Sequence, residues 1–241
     1  MSSHGAANFD GGRLFFSALR VWKDNFVLLT GLAFLINLGI AAVSGLMLVL
    51  TGLNLSILDY ILGPLIAGVL MLVAADILAG QRVDLQAHIS RVIQVFGPLV
   101  ILSLAVAFLV VIGLMALIVP GLYATAVFIA VTPLILFENA GWDALRRSHQ
   151  MTKPFVWPIA GVILRLGVLM FLVILPLILI TTDTSGETPG AQIQLVPGLE
   201  ILSAGVIILF SSALSTLSIL IGLMIYHRLR DLSGGVSEVF E

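Results

Sequence analysis

Apolar residues run through this chain in blocks too long for the core of an ordinary soluble domain. Six runs stand out: Phe26–Leu50, Ser56–Ala79, Gly97–Val119, Leu122–Phe137, Pro154–Thr181 and Gly198–Tyr226. A hydrocarbon layer about 30 Å thick is crossed by roughly 20 helical residues at 1.5 Å each. Five of the runs reach that length outright. The fourth is shorter, yet the stretch Gly97–Ala140 is interrupted only by Pro120-Gly121, a turn pair that predicts a tight hairpin of two spans.

Ahead of spans one, three and five the pattern changes to a one-sided helical stripe. In the first stripe Phe15, Ala18, Leu19, Trp22 and Phe26 follow i, i+3, i+4, i+7 and i+11, with Arg13, Ser17, Arg20 and Asp24 opposite and Asp10 placed as N-cap. In the second, Leu85, Ile89, Val92, Ile93 and Phe96 follow Asp84. In the third the polar side is clearer: Asp143, Arg146, Arg147, Gln150 and Lys153 line up, with Trp142 and Leu145 opposite. Short helices of this kind lie flat at the headgroup boundary.

The pattern therefore predicts an all-α integral membrane protein of six transmembrane helices with three short cytoplasmic interfacial amphipathic helices. It reads as three units of interfacial helix plus membrane hairpin, each roughly 60–70 residues long. Fragments such as Ala18-Leu19-Arg20 and Ala144-Leu145-Arg146 are shared between units. The whole chain, 1–241, reads as one polytopic membrane domain: an N-terminal cytoplasmic segment with its interfacial helix (1–25), the six-span bundle (26–226) and a cytoplasmic tail (227–241). Met1–Gly12 has neither a basic start nor an apolar core, so the first span is expected to remain as an anchor.

Composition explains why no soluble alternative competes. Of 241 residues 60% are hydrophobic and only 10% charged, against about 25% charged in soluble domains, so solvated side chains cannot cover a compact surface. Without cysteine there is no disulfide framework and no thiolate chemistry. A net charge of -2 argues against a nucleic-acid partner.

The distribution of basic residues predicts orientation. Arg13, Arg20 and Lys23 precede span one, Arg82 and Arg91 follow span two, Arg146, Arg147 and Lys153 follow span four, and Arg228 and Arg230 follow span six. Ten of the 11 basic residues thus fall on one side, which the positive-inside rule makes cytoplasmic, together with both termini. The exception is Arg165. Trp22, Trp142 and Trp157 fall near the same ends of the spans, where an indole suits the headgroup layer.

Three segments carry a resemblance: Ile118-Val119-Pro120-Gly121-Leu122-Tyr123, then Thr132-Pro133-Leu134-Ile135-Leu136-Phe137-Glu138-Asn139-Ala140-Gly141, then Asp143-Ala144-Leu145-Arg146-Arg147-Ser148-His149-Gln150-Met151-Thr152-Lys153. They resemble the YciC-like group of bacterial six-helix inner-membrane proteins, related to the membrane domain fused to some glycerophosphoryl diester phosphodiesterases. The pattern there runs roughly IPGIYL, a span ending P-x-x-x-x-E-x-x-G, then A-L-x-R-S-W-x-L-T-K-G. His149 stands where that pattern has tryptophan and Pro154 where it has glycine, and an arginine one turn into span four is absent. The resemblance covers about forty residues and implies integral membrane location and a role in envelope or lipid homeostasis, with no established reaction.

No reaction chemistry emerges from the residues themselves. His4, His88, His149 and His227 are scattered singly, without metal-ligand spacing. There is no nucleophile elbow, P-loop or dinucleotide fingerprint. The expectation is a protein without enzymatic activity, cofactor or metal. His149 reads as a headgroup-layer side chain, with a pH-sensing or lipid-phosphate role as the alternative.

Charges at membrane depth are the better candidates, since each costs at least about 2.5–3.5 kcal/mol at mid-span unless paired, snorkelled or functional. They are Asp76, Glu138 and Arg165; Asp76, four residues before Gly80, and Glu138, which ends span four, belong near the cytoplasmic boundary, where partial solvation explains them. Arg165 lies 11 residues beyond Pro154, about 16 Å along a helix starting there. Its expected partners are Asp76 and Glu138, with snorkelling or lipid-phosphate binding as alternatives. Pro64, Pro133 and Pro176 interrupt spans, and Gly63 with Ala67 offers a small-xxx-small packing face. Candidate lipid-headgroup contacts are Arg20, Lys23, Arg91, Arg146, Arg147 and Lys153.

The sequence thus predicts a non-enzymatic multi-pass inner-membrane protein acting in envelope or membrane-lipid homeostasis, or as the membrane partner of another protein. Membrane lipids, anionic ones in particular, are the expected contacts. The alternative is a small membrane transporter with a polar site near Asp76, Glu138 and Arg165. Spans one, three and six hold almost no ionisable residue, and Asn37 is their notable amide. A continuous polar vestibule would favour transport, and a dry bundle a scaffold.

Overall fold

The computed structural model describes residues 9–52, 56–181 and 200–237, which form helices joined by short turns, with no strand among them. The helices are α1 (Gly11–Asp24), α2 (Phe26–Thr51), α3 (Ser56–Leu78), α4 (Leu85–Gln94), α5 (Phe96–Ala116), α6 (Ile118–Phe128), α7 (Val131–Glu138), α8 (Ala144–Thr152), α9 (Val156–Thr181) and α10 (Glu200–Ser237). Among the described residues six segments are long and apolar enough to cross a membrane: α2, α3, α5, the α6–α7 pair, α9 and α10. The protein is a multi-pass membrane protein. Side chains such as Val27, Val49 and Met115, each 83% exposed, have lipid as their natural solvent.

The short helices begin and end where side-chain chemistry dictates. The Asp10 carboxylate accepts from the Gly12 and Arg13 N–H groups at 3.0 and 3.1 Å, and Asp84 accepts from Ala87 N–H at 3.1 Å, which caps α1 and α4. Each then passes into its span through one non-helical residue, Asn25 (φ -115, ψ 21) or Val95 (φ -104, ψ 17). The change from striped to all-apolar sequence is therefore also a change of direction in the backbone. The third short helix, α8, follows a 3-10 turn at Gly141–Asp143, after Asn139 and Gly141 take left-handed φ values of 54 and 51.

The predicted hairpin between spans three and four exists, but its turn lies elsewhere. The break falls at Leu117, in extended conformation (φ -170, ψ 156). Pro120 and Gly121 instead belong to the first turn of α6, where the missing proline N–H has no helical acceptor to lose. Gly121 is there for proximity. A Cβ on it would sit 2.5 Å from Leu114 Cγ, and one on Gly113 would sit 2.8 Å from Gly121 Cα. The small-xxx-small face expected at Gly63 packs nothing, because a Cβ there meets no atom within 4 Å. Gly68 has that role in α3, facing Val92, Leu99 and Leu136.

Span four is broken into α6 and α7 at Ile129–Ala130. Pro133, in the first turn of α7, supplies the reason: it can neither donate to the Ile129 carbonyl nor clear it sterically. Pro64 and Pro176, by contrast, lie inside continuous helices.

The centre of the bundle is α10, which packs against α1, α2, α3, α7, α8 and α9. One apolar cluster joins α10 to α3, α5 and α7 through residues such as Leu72, Leu99, Leu134 and Leu223; another joins it to α1, α6 and α9 through Ala18, Val127, Ile159 and Leu217. A polar seam fastens α10 to α2. Asn37 Nδ2 donates to Ser212 Oγ at 3.2 Å, and the Thr30 and Thr216 hydroxyls are 3.4 Å apart. Buried hydroxyl and amide groups in lipid need such partners.

Candidate functional site

The three short helices lie at one end of the bundle, which also carries most of the basic residues. Each is tied to the spans by polar side chains. On α1, Trp22 Nε1 donates to Thr216 Oγ1 of α10 at 3.1 Å. On α4, His88 Nε2 lies 2.8 Å from Asp76 Oδ2 of α3, and Arg91 donates through Nε and Nη2 to the Leu136 carbonyl at 3.0 and 2.9 Å. On α8, Arg147 pairs with the Glu138 carboxylate, while the Ser148 and Thr152 hydroxyls both donate to the Val127 carbonyl, at 2.7 and 3.0 Å. The second oxygen of Glu138 accepts from the Tyr226 hydroxyl of α10 at 2.8 Å.

Broken span four is the common attachment point. Val127 lies in the last turn of α6 and Leu136 in the last turn of α7, so their carbonyls have no helical partner of their own. Water is unavailable to them in a bilayer, and a donor must come from another element. Here α8 supplies two hydroxyls and α4 a guanidinium. Ser148 and Thr152 are both fully buried. Among the described residues every buried side-chain nitrogen or oxygen has a hydrogen-bond partner.

This arrangement corrects the expected polar cluster. Asp76, Glu138 and Arg165 do not come together: Asp76 faces His88, Glu138 faces Arg147 and Tyr226, and neither pairs with Arg165. Arg165 is exposed on α9 and lines a separate outward groove with Phe9, Asp10, Gly11, Gly12, Trp157, Pro158 and Gly161. Both carboxylates are closer in sequence to their true partners, at 12 and nine residues, than to Arg165.

The expected headgroup contacts divide in two. Arg91 is half-buried and spends its guanidinium on Leu136, so it is a bundle fastener rather than a headgroup contact. Arg147 keeps part of its surface exposed but is committed to Glu138. Arg20, Lys23, Arg146 and Lys153 are exposed and form no ion pair among the described residues. Trp142 and Trp157 are 62% and 69% exposed, whereas Trp22, expected with them at the headgroup layer, is half-buried and spends its indole N–H on Thr216 of α10. His149 is exposed on α8.

Sequence reasoning missed Ser148, Thr152, His88 and Tyr226. The first two carried a signal: they are four residues apart on the side of α8 opposite the charged stripe, as a pair reaching one acceptor must be. Also unforeseen is a cavity of about 450 Å³ between α1 and α10, lined by Phe9, Asp10, Arg13, Leu78, His227 and Asp231 among others. It contains none of Asp76, Glu138 and Arg165. No group of three or more metal-ligating side chains occurs among the described residues. No protein-family model, curated protein or solved structure matches this chain.

Proposed function

We propose that the protein is a non-catalytic, lipid-associated scaffold of a bacterial inner membrane, with both termini and the three short helices in the cytoplasm. Its contacts are anionic phospholipid and a membrane-protein partner. The observation that carries this reading is how the polar groups at the basic end are used. Asp76, His88, Glu138, Arg91, Arg147, Ser148 and Thr152 are spent on fastening α4 and α8 to the spans. What remains outward on or beside the short helices includes the cations Arg20, Lys23, Arg146 and Lys153 and the apolar side chains Phe16, Ile89, Ile93 and Trp142. A rigid collar with cations and apolar side chains suits a headgroup layer, where each such cation contributes about 1 kcal/mol of attraction to an anionic leaflet. The resemblance to the YciC-like group points the same way.

The test is the lipid that accompanies the protein into polymer nanodiscs made without detergent. The native chain is expected to carry a higher anionic fraction than the surrounding membrane. A variant combining Arg20→Gln, Lys23→Gln, Arg146→Gln and Lys153→Gln is expected to lose that enrichment. An unchanged lipid profile would refute the reading.

A further inference from the structure

Arg165 is the one basic residue the chain places within an apolar span, and in the described structure it has no ion-pair partner. It lies nine residues past Val156, the first residue of α9, so its Cα is about 14 Å inside that helix. An unpaired guanidinium at such depth is costly unless it reaches an anion or the headgroup layer. Pro158, Gly161 and Arg165 share one face of α9 by their spacing, and the start of α1 lies directly against that face. A Cβ on Gly11 would be 2.9 Å from Val162 Cγ2 and 3.1 Å from the Pro158 carbonyl oxygen.

The contact leaves a groove of about 510 Å³ between Arg165 and the first turn of α1, with Trp157 along it. Gly161 keeps it open, since a Cβ at that position meets nothing within 4 Å. The first-turn N–H groups of Gly12 and Arg13 are already taken by Asp10, and the Asp10 carboxylate is itself paired with Arg13 Nε at 3.1 Å. The Asp10 carboxylate is thus committed to the helix end and to Arg13, and Arg165 is the one cation among the residues lining the groove. Beside it, Leu164 and Val168 are about half exposed and face lipid.

We propose that this groove binds the phosphate of an anionic glycerophospholipid, held bidentately by the Arg165 guanidinium, with the glycerol and acyl chains running down the exposed side of α9. A planar guanidinium fork matches two phosphate oxygens. The apolar wall below it suits acyl chains and has nothing to offer a free anion. The site is a specific refinement of the lipid-associated reading above, distinct from the surface cations.

Titration of phosphatidylglycerol or phosphatidylcholine into the purified full chain, followed by native mass spectrometry, tests it. Phosphatidylglycerol is expected to show one binding step tighter than the rest. Arg165→Gln should weaken that step roughly tenfold or more, the loss typical of a charge-assisted hydrogen bond, without lowering the melting temperature, because no protein partner is orphaned. Gly161→Leu, which fills the groove while leaving the charge, should weaken it comparably. The fourfold Gln variant of the surface cations should retain the tight step.

If Arg165→Gln and Gly161→Leu both leave the tight step intact, the site is refuted, whatever the fourfold variant does to overall enrichment. Equal tight binding of phosphatidylcholine, or displacement of the lipid by excess inorganic phosphate, would also overturn it. Loss of enrichment in the fourfold variant with no effect at Arg165 would leave the scaffold reading standing without this site.

Discussion

Val127 shows at the scale of one residue how a membrane protein resolves a broken helix. Its carbonyl, in the last turn of α6, receives the hydroxyls of both Ser148 and Thr152. Removing one donor leaves the other in place; removing both leaves a buried acceptor unsatisfied, at a cost of about 1–3 kcal/mol. Ser148→Ala and Thr152→Ala are therefore each expected to be mild, and the double variant to lose more stability than the sum of the two. Melting curves in nanodiscs measure this, and strictly additive losses would mean that the two hydroxyls do not share the carbonyl. The charged stripe of α8 was plain in the sequence, whereas these hydroxyls were not. A serine or threonine carries no sign of whether its partner is water, its own helix or a carbonyl more than 20 residues away.

The α5–α6 hairpin makes the same point for an element. Its existence followed from two apolar stretches around Pro120-Gly121, but a proline-glycine pair is equally at home in a turn and in a helix's first turn. Packing decided between them, with Gly121 against Leu114 and Gly113. Gly121→Ala is expected to force the two helices apart and to destabilise the protein by about 1–3 kcal/mol, the usual cost of overpacking. Pro120→Ala is expected to be nearly neutral, since position three of a helix has no acceptor for its N–H. A melting series that reversed this order would return the turn to Pro120-Gly121.

For the whole molecule the decisive quantity is which side each segment occupies. Most of the basic residues, and the short helices that carry many of them, lie at one end, and the proposal places that end in the cytoplasm. Reporter fusions at Gln86 and Ser185 are then expected to give opposite readings, with Gln86 cytoplasmic. Matching readings from the two sites would break the six-span topology. Ser185 itself lies outside the described residues, so this assay also covers a stretch about which the fold says nothing.

Sequence by itself determined the number of spans, their approximate limits and the three amphipathic helices, because hydrophobic length and periodicity are local properties set by the thickness of a bilayer and the pitch of a helix. It also drew attention to Asp76, Glu138 and Arg165, because a charge inside or beside an apolar run is visible in the sequence. Their partners were a matter of tertiary structure alone. Helix rotation and packing turned Asp76 toward His88, Glu138 toward Arg147 and Tyr226, and Arg165 outward into its groove. A one-residue rotation moves a side chain about 100° around its helix, and the apolar spans here are so uniformly hydrophobic that no stripe marks which face turns inward. Only the fit of α10 among its neighbours, and the need of span four's open carbonyls for donors, set those rotations.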